Sequence, residues 1–240
     1  MTGFILAAGF GKRMQHYTEN MPKPLLPVGG YPLIYYSLFF LWRYNIHQVI
    51  VNLHYLAEQL EEELLALKGF DFALSFEPEI LGTAGGLRKA LVEKQSESTV
   101  VLINPDVILW PEETDRPRLL HPGELSALYL KMRPSGSKER GFAFTSDHQI
   151  ENRADGEYYY VGYGMVKPRL FRTIPADEFV DLGKLWAAKS KLGFISGQRY
   201  QGELVSAGNL TDYEVIKDRD IIPQNLKTEW QEFLQFIGKT

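Results

Sequence analysis

The chain has 240 residues, room for one large α/β domain or two small ones. Its 45 % apolar content is that of a globular protein, and its net charge of −4 argues against a nucleic-acid binder. Without cysteine there is no disulfide and no thiolate metal site, which fits a reducing, cytoplasmic setting. The N-terminus has neither the basic flank nor the long apolar core of a signal peptide.

In chain order, "GFILAAG" (3–9) reads as a short buried strand ended by Gly9. "PLIYYSLFFLWRYN" (32–45) reads as a buried helix with Pro32 in its first turn; Arg43 interrupts it and it is too short to span a bilayer. "QVIVNLHY" (48–55) is a β-branched strand, and "AEQLEEELLALK" (57–68) an amphipathic helix stopped by Gly69. "FALSFE" (72–77) is a third strand, "AGGLRKALVEK" (84–94) a third helix and "TVVLINPDVIL" (99–109) a fourth strand. This alternation argues for a doubly wound, mostly parallel α/β sheet, in which ligands sit at the carboxyl ends of the strands. After Pro111 the pattern changes: "LSALYLKM", "GFAFTS" and "YYYVGYGMVK" read as strands. "PRLFRTI" (168–174) and "LGKLWAAKSK" (182–191) read as helices, "FISGQRYQ" and "ELVSAG" as strands. No linker divides the chain, so a single domain over 1–240 with a β insertion after residue 110 is the simplest reading. The tail, 225–238, puts Leu226, Trp230, Phe233, Leu234 and Ile237 on one helical face that docks on the body.

The loop after the first strand carries Gly9, Gly11, Lys12 and Arg13. Glycines let backbone N–H groups approach phosphate oxygens, and Arg13 offers a planar fork of donors. Lys23 stands between two prolines in "MPKPL", which bias it to an extended path and leave it less freedom to lose on binding an anion. The spacing is neither that of a P-loop nor that of a dinucleotide fold, since Met14 stands where a third glycine is needed. A dinucleotide-dependent oxidoreductase would also need an acidic residue ending the second strand, where "NLHYL" stands. The five histidines form no short ligand spacing for zinc.

"LAAGFGKRMQHYTENMPKPLLPV" resembles the signature of the sugar-1-phosphate nucleotidyltransferases, L-A-A-G-x-G-x-R-M followed by P-K-P-L/M-L/V-P-V. "LGTAGGLRKAL" (81–91), "VVLINPDVIL" and "YYYVGYGMVKPRLF" are similar to that family's base loop, metal strand and sugar-side segment. The likeness is greatest to its small single-domain members that act on N-acetylmuramate or mannose 1-phosphate. It implies a Rossmann-like nucleotide-diphospho-sugar transferase fold, with a nucleotide-binding half at 1–110 and a sugar-binding half at 111–215. It also implies roles. Leu6, Ala8 and Gly9 would meet base and ribose, Gly11 and Arg13 the β- and γ-phosphates, and Lys23 the α-phosphate. Gly82, Thr83 and Gly85 would line the base pocket, Gly162 would approach the sugar, and Asp106 would bind Mg²⁺. The partners implied are an NTP, UTP or GTP, and a sugar 1-phosphate, with no nucleic acid and no membrane span; oligomeric state is left open. Arg13, Lys23 and Asp106 would be the catalytic set.

The pattern breaks late. Where the family has G-x-W-x-D-V-G-T this chain has "GELVSAGN" (202–209), so Ser206 replaces the second metal-binding Asp and Asn209 the Thr. Glu203 is no substitute, because on a strand it faces away from Ser206. Pro105 replaces the Gly of N-G-D and removes a backbone donor. Two readings follow: an active enzyme in which Asp106, water and phosphates hold the metal, which is favoured, or a binding-only relative that regulates a partner.

Overall fold

The structure, a computed structural model, describes residues 1–92, 98–134, 136, 141–146 and 148–239. In chain order its elements are β1 (Thr2–Ile5), β2 (Pro27–Val28), β3 (Tyr31–Pro32), α1 (Leu33–Arg43), β4 (Gln48–Leu53), α2 (Ala57–Ala66), β5 (Asp71–Phe76), α3 (Gly82–Val92), β6 (Val100–Ile103) and β7 (Val107–Trp110). There follow β8 (Ser126–Met132), β9 (Gly141–Phe144), β10 (Ile150–Asn152), β11 (Tyr158–Val166), α4 (Leu182–Ser190), β12 (Ile195–Arg199), β13 (Glu203–Ser206), α5 (Leu210–Ile216) and α6 (Lys227–Phe236). They cluster into two compact units. The first comprises Thr2–Ile80, Ile103–Trp110 and Glu203–Thr240, the second Met1, Leu81–Leu102 and Pro111–Gly202.

In the first unit β1, β4 and β5 run parallel, with Phe4 opposite Ile50 and Val51 opposite Leu74. The apolar runs of β1 and β4 are buried, as parallel strands covered on both faces require. Every residue of α1 from Leu33 to Leu41 is buried, which accounts for its apolar character all round. Among the described residues no helix is long and apolar enough to cross a membrane. The C-terminal α6 docks as its apolar face demands. Trp230, fully buried, stacks on Tyr36 with ring centroids 4.8 Å apart and meets Phe39 and Trp110. Arg43 at the end of α1 pairs with Glu229 of α6 at 2.7 Å. Strands β7 and β13 form an antiparallel pair that sets Ser206 opposite Val107, one residue from Asp106.

In the second unit β11 is antiparallel to β8 and β9, while β12 runs parallel to β8. The start of α3 is tied to residue 180 by Ala84 N–H donating to Val180 O and Val180 N–H to Leu81 O, both at 2.9 Å.

Three local readings change. The strand expected over 99–109 divides into β6 and β7 around Asn104–Asp106, because Pro105 cannot donate to a ladder and Asn and Asp favour turns. The helix expected at 168–174 is a single 3₁₀ turn over Pro168–Phe171. Helix α5 was not visible as a period, being only seven residues long, but Asn209 caps it by accepting from Asp212 N–H. The part of the expected third helix beyond Val92 lies outside the described residues.

Candidate active site

The loop after β1 is braced from below. Leu6 N–H donates to Ile103 O at 3.0 Å, and Ala7 N–H to Asn52 Oδ1 at 2.8 Å. Asn52 Nδ2 in turn donates to Glu77 Oε1 at 2.8 Å, and both side chains are buried. A buried amide and carboxylate linked this way satisfy each other and fix the loop backbone. Neither residue was singled out in the sequence; the available signal was a polar residue, Asn52, inside the buried part of a strand.

Gly9 and Gly11 differ in what requires a glycine. Gly11 has φ 66°, and a Cβ there would lie 2.9 Å from Thr18 Cγ2 and 3.2 Å from Lys23 Cβ. Met14 N–H and Thr18 Oγ1 both donate to Gly11 O, at 2.7 and 3.1 Å, winding residues 12–18 tightly. Over Gly9 a Cβ would meet nothing within 4 Å. The protein's own packing therefore demands Gly11 but not Gly9, whose bare backbone faces open space.

Lys23 departs from the extended path expected of it. Pro22 is extended, but Lys23–Leu25 form a 3₁₀ turn closed by Leu26 N–H donating to Lys23 O at 3.1 Å. The turn buries the lysine stem, and its side chain is 12 % exposed. Its Nζ reaches Asp106 Oδ2 at 2.7 Å and Gly208 O at 3.2 Å. Arg13 Nη2 stands 3.7 Å from the same carboxylate oxygen, but its side chain is 71 % exposed. Burial lowers the Lys23 ammonium from its ordinary value of 10.5. The attraction of Asp106 opposes this, the Arg13 charge adds to it, and Asp212 opposes it more weakly. The three residues expected to be catalytic thus meet at one corner of the first unit, beside the Gly9–Gly11 loop.

The corner is chemically suited to a triphosphate with a hard cation. It offers one deep ammonium, one exposed guanidinium and a carboxylate of hard oxygen. Among the described residues no cluster of three or more His, Cys, Asp or Glu side chains could hold a metal. The site cannot cage a cation unaided, but a cation arriving with phosphate oxygens needs only one or two carboxylates.

Residues 2–114 match the family described as nucleotidyl transferase. The chain is 28 % identical over 218 residues to the N-acetylmuramate alpha-1-phosphate uridylyltransferase of Neisseria meningitidis, covering 88 % of this chain and 94 % of that one. It is 34 % identical over 112 residues to the mannose-1-phosphate guanyltransferase of Saccharomyces cerevisiae, where it spans only 31 % of the longer protein and 45 % of its own length. The structure of CTP:phosphocholine cytidylyltransferase from Streptococcus pneumoniae superposes with a TM-score of 0.72 over 90 % of this chain and 97 % of that one, at 22 % identity. That likeness bears out the mixed α/β fold. The relatives' names bear out the reading of an enzyme of the nucleotidyltransferase class.

The remaining residues implicated by resemblance lie in the second unit. Gly82, Thr83 and Gly85 form the first turn of α3, and a Cβ on Gly85 would come within 2.6 Å of Glu178 O. The crossing of residue 178 is thus enough to require a glycine at 85. Gly162 sits where the β11–β8 register shifts, between Tyr160 and Gly164, with φ 83°.

Proposed function

We propose that the protein transfers a nucleotidyl group from an NTP, UTP or GTP, to a sugar 1-phosphate with Mg²⁺ as cofactor, releasing pyrophosphate. The observation that carries this reading is the convergence of Lys23, Arg13 and Asp106 beside Gly11 of the glycine loop. An oxygen of the sugar phosphate attacks the α-phosphorus, a new P–O bond forms, and the bond to the β-phosphate breaks with its electrons leaving on pyrophosphate. The nucleophile is already anionic, so no general base is required, and catalysis consists of positioning and charge neutralisation. Lys23, held in place by its turn, is fitted to the α-phosphate, while the exposed Arg13 can swing onto the leaving phosphates. The Leu6–Gly11 backbone is fitted to base, ribose and phosphate oxygens, and Gly82, Thr83, Gly85 and Gly162 keep the base and sugar roles that resemblance implies. Bound Mg²⁺, held by Asp106, would neutralise developing charge on the phosphates.

The test is product analysis after incubation with UTP or GTP, Mg²⁺ and a panel of sugar 1-phosphates that includes N-acetylmuramate and mannose 1-phosphate. A nucleoside diphosphate sugar formed in equal amount with pyrophosphate is the expected result. Absence of both from every pair would contradict the proposal.

A further inference from the structure

Two of the residues at which the late segment leaves the family pattern turn toward one side chain. Ser206 Oγ donates to Asp212 Oδ2 at 2.9 Å, and Asn209 Nδ2 donates to the same oxygen at 2.8 Å. Asn209 also caps α5 through its Oδ1, which accepts from Asp212 N–H at 3.0 Å. Capping requires only that last bond. The donation from Ser206, on β13, is additional and draws the carboxylate toward the strand that pairs with the Asp106 turn.

The pair lies at the corner already described. A Cβ placed on Gly208 would stand 3.3 Å from Ser206 Oγ and 4.0 Å from both Asp106 Oδ2 and Arg13 Nη1. The missing side chain of Gly208 thus leaves a cradle bordered by these three groups. Ala207 N–H donates to Asp106 O at 2.8 Å and fixes this segment against the turn. Ionised Asp212 has acceptor capacity on two oxygens, and both of its side-chain hydrogen bonds fall on Oδ2. Its Oδ1 accepts none among the described residues.

We propose that Asp212, oriented by Ser206 and Asn209, supplies the second carboxylate toward the divalent cation that accompanies the triphosphate. The carboxylate that this chain lacks at 206 is delivered from the first turn of α5 instead. This inference rests on the nucleotidyl-transfer reading of the Lys23–Asp106 corner. It has a consequence for residue 206: Ser206 is a positioning residue, and a carboxylate there would confront Asp212 with a like charge.

The experiment measures the affinity for UTP and for GTP by calorimetry in EDTA and again in Mn²⁺, with no sugar phosphate. The ratio of the two constants is the gain due to metal. In D212N this gain should fall at least about tenfold, the scale on which metal sites respond even to loss of an outer hydrogen-bonding partner. The EDTA affinity and the metal-free melting temperature should stay near wild type, because the substitution leaves the backbone N–H that Asn209 caps in place. S206D alone should also lower the gain, whereas S206D combined with D212N should restore most of it. A merely structural Asp212 would not show this reciprocal rescue. Wild-type metal gain in D212N would overturn the proposal, as would a folded S206D/D212N protein with no recovery. Failure of the wild type to bind either nucleotide in both buffers would instead overturn the nucleotidyl-transfer reading, and this proposal with it.

Discussion

Asp106 and Asp115 stand nine residues apart, and apart from the family resemblance around Asp106 nothing in the sequence separates their roles. Asp115, in the second unit, is fully buried, and its carboxylate accepts from three backbone N–H groups. These are Glu112 at 3.0 Å, Gln201 at 2.9 Å and Gly202 at 2.8 Å. Asp106, in the first, has a side chain 21 % exposed and faces Lys23 and Arg13. Backbone donors cannot leave, so Asp115 is committed to holding its loops together. Side-chain cations can be exchanged for a metal or moved onto a phosphate, so Asp106 is available to a ligand. The difference teaches that a carboxylate's role is read from the mobility of its partners more than from their number.

Substitution should separate the two most strongly in stability. Asp115→Ala removes the acceptor of three backbone donors, one of them buried, and should cost about 3 kcal/mol in urea unfolding. Asp106→Asn should cost less, about 1–2 kcal/mol, because the Asn oxygen and Gly208 O can still accept from the largely buried Lys23. Equal losses would erase the distinction.

Lys23→Ala comes next. Loss of a charge-assisted bond to phosphate should weaken nucleotide binding or turnover by roughly 10- to 100-fold, or about 1.5–3 kcal/mol. Arg13→Ala should act on the same quantities with no measurable change in melting temperature, since that side chain is mostly exposed. Unchanged kinetics in Lys23→Ala would remove it from the mechanism.

A pH profile sharpens the same point. Burial lowers the Lys23 pKa, so the cation is present below that value and lost above it. Nucleotide affinity of the free protein should therefore decline with rising pH before the ordinary lysine value of 10.5 is reached. Lys23→Arg, which stays charged, should remove that decline. For stability the sign is the reverse. A lysine whose folded pKa is depressed opposes folding while protonated, and that cost is relieved as pH rises from the folded toward the unfolded pKa.

The smallest effect expected concerns the two glycines. Gly11→Ala, at a positive φ with Thr18 close by, should lose about 1 kcal/mol of stability. Gly9→Ala should leave stability within about 0.5 kcal/mol and act on nucleotide affinity alone. Equal destabilisation in both would mean that the open face over Gly9 is not reserved for a ligand.

Much of this was legible in the sequence. Strand and helix alternation placed β1, α1, β4, α2 and β5 within a few residues of their observed bounds, because each is a mainly apolar or amphipathic run. The glycine loop, Arg13 and Lys23 could be read because glycine and proline constrain the backbone locally. The Asn52–Glu77 brace, the Gly208 cradle and the turn of Asp212 toward Ser206 could not. Each depends on side chains brought together by strand pairing, as β13 and β7 bring residue 206 beside Asp106. Asp115 was missed for the same reason, since two of its donors lie 86 and 87 residues away.

The most direct test of the account is pyrophosphate release from UTP or GTP in the presence of a sugar 1-phosphate, comparing wild type with Asp106→Asn as Mg²⁺ is varied. The account expects release that requires both the sugar phosphate and Mg²⁺ in wild type, and a fall of at least roughly 100-fold in a folded Asp106→Asn protein. Release that persists in Asp106→Asn, or that does not depend on the sugar phosphate, would contradict the assignment of this corner.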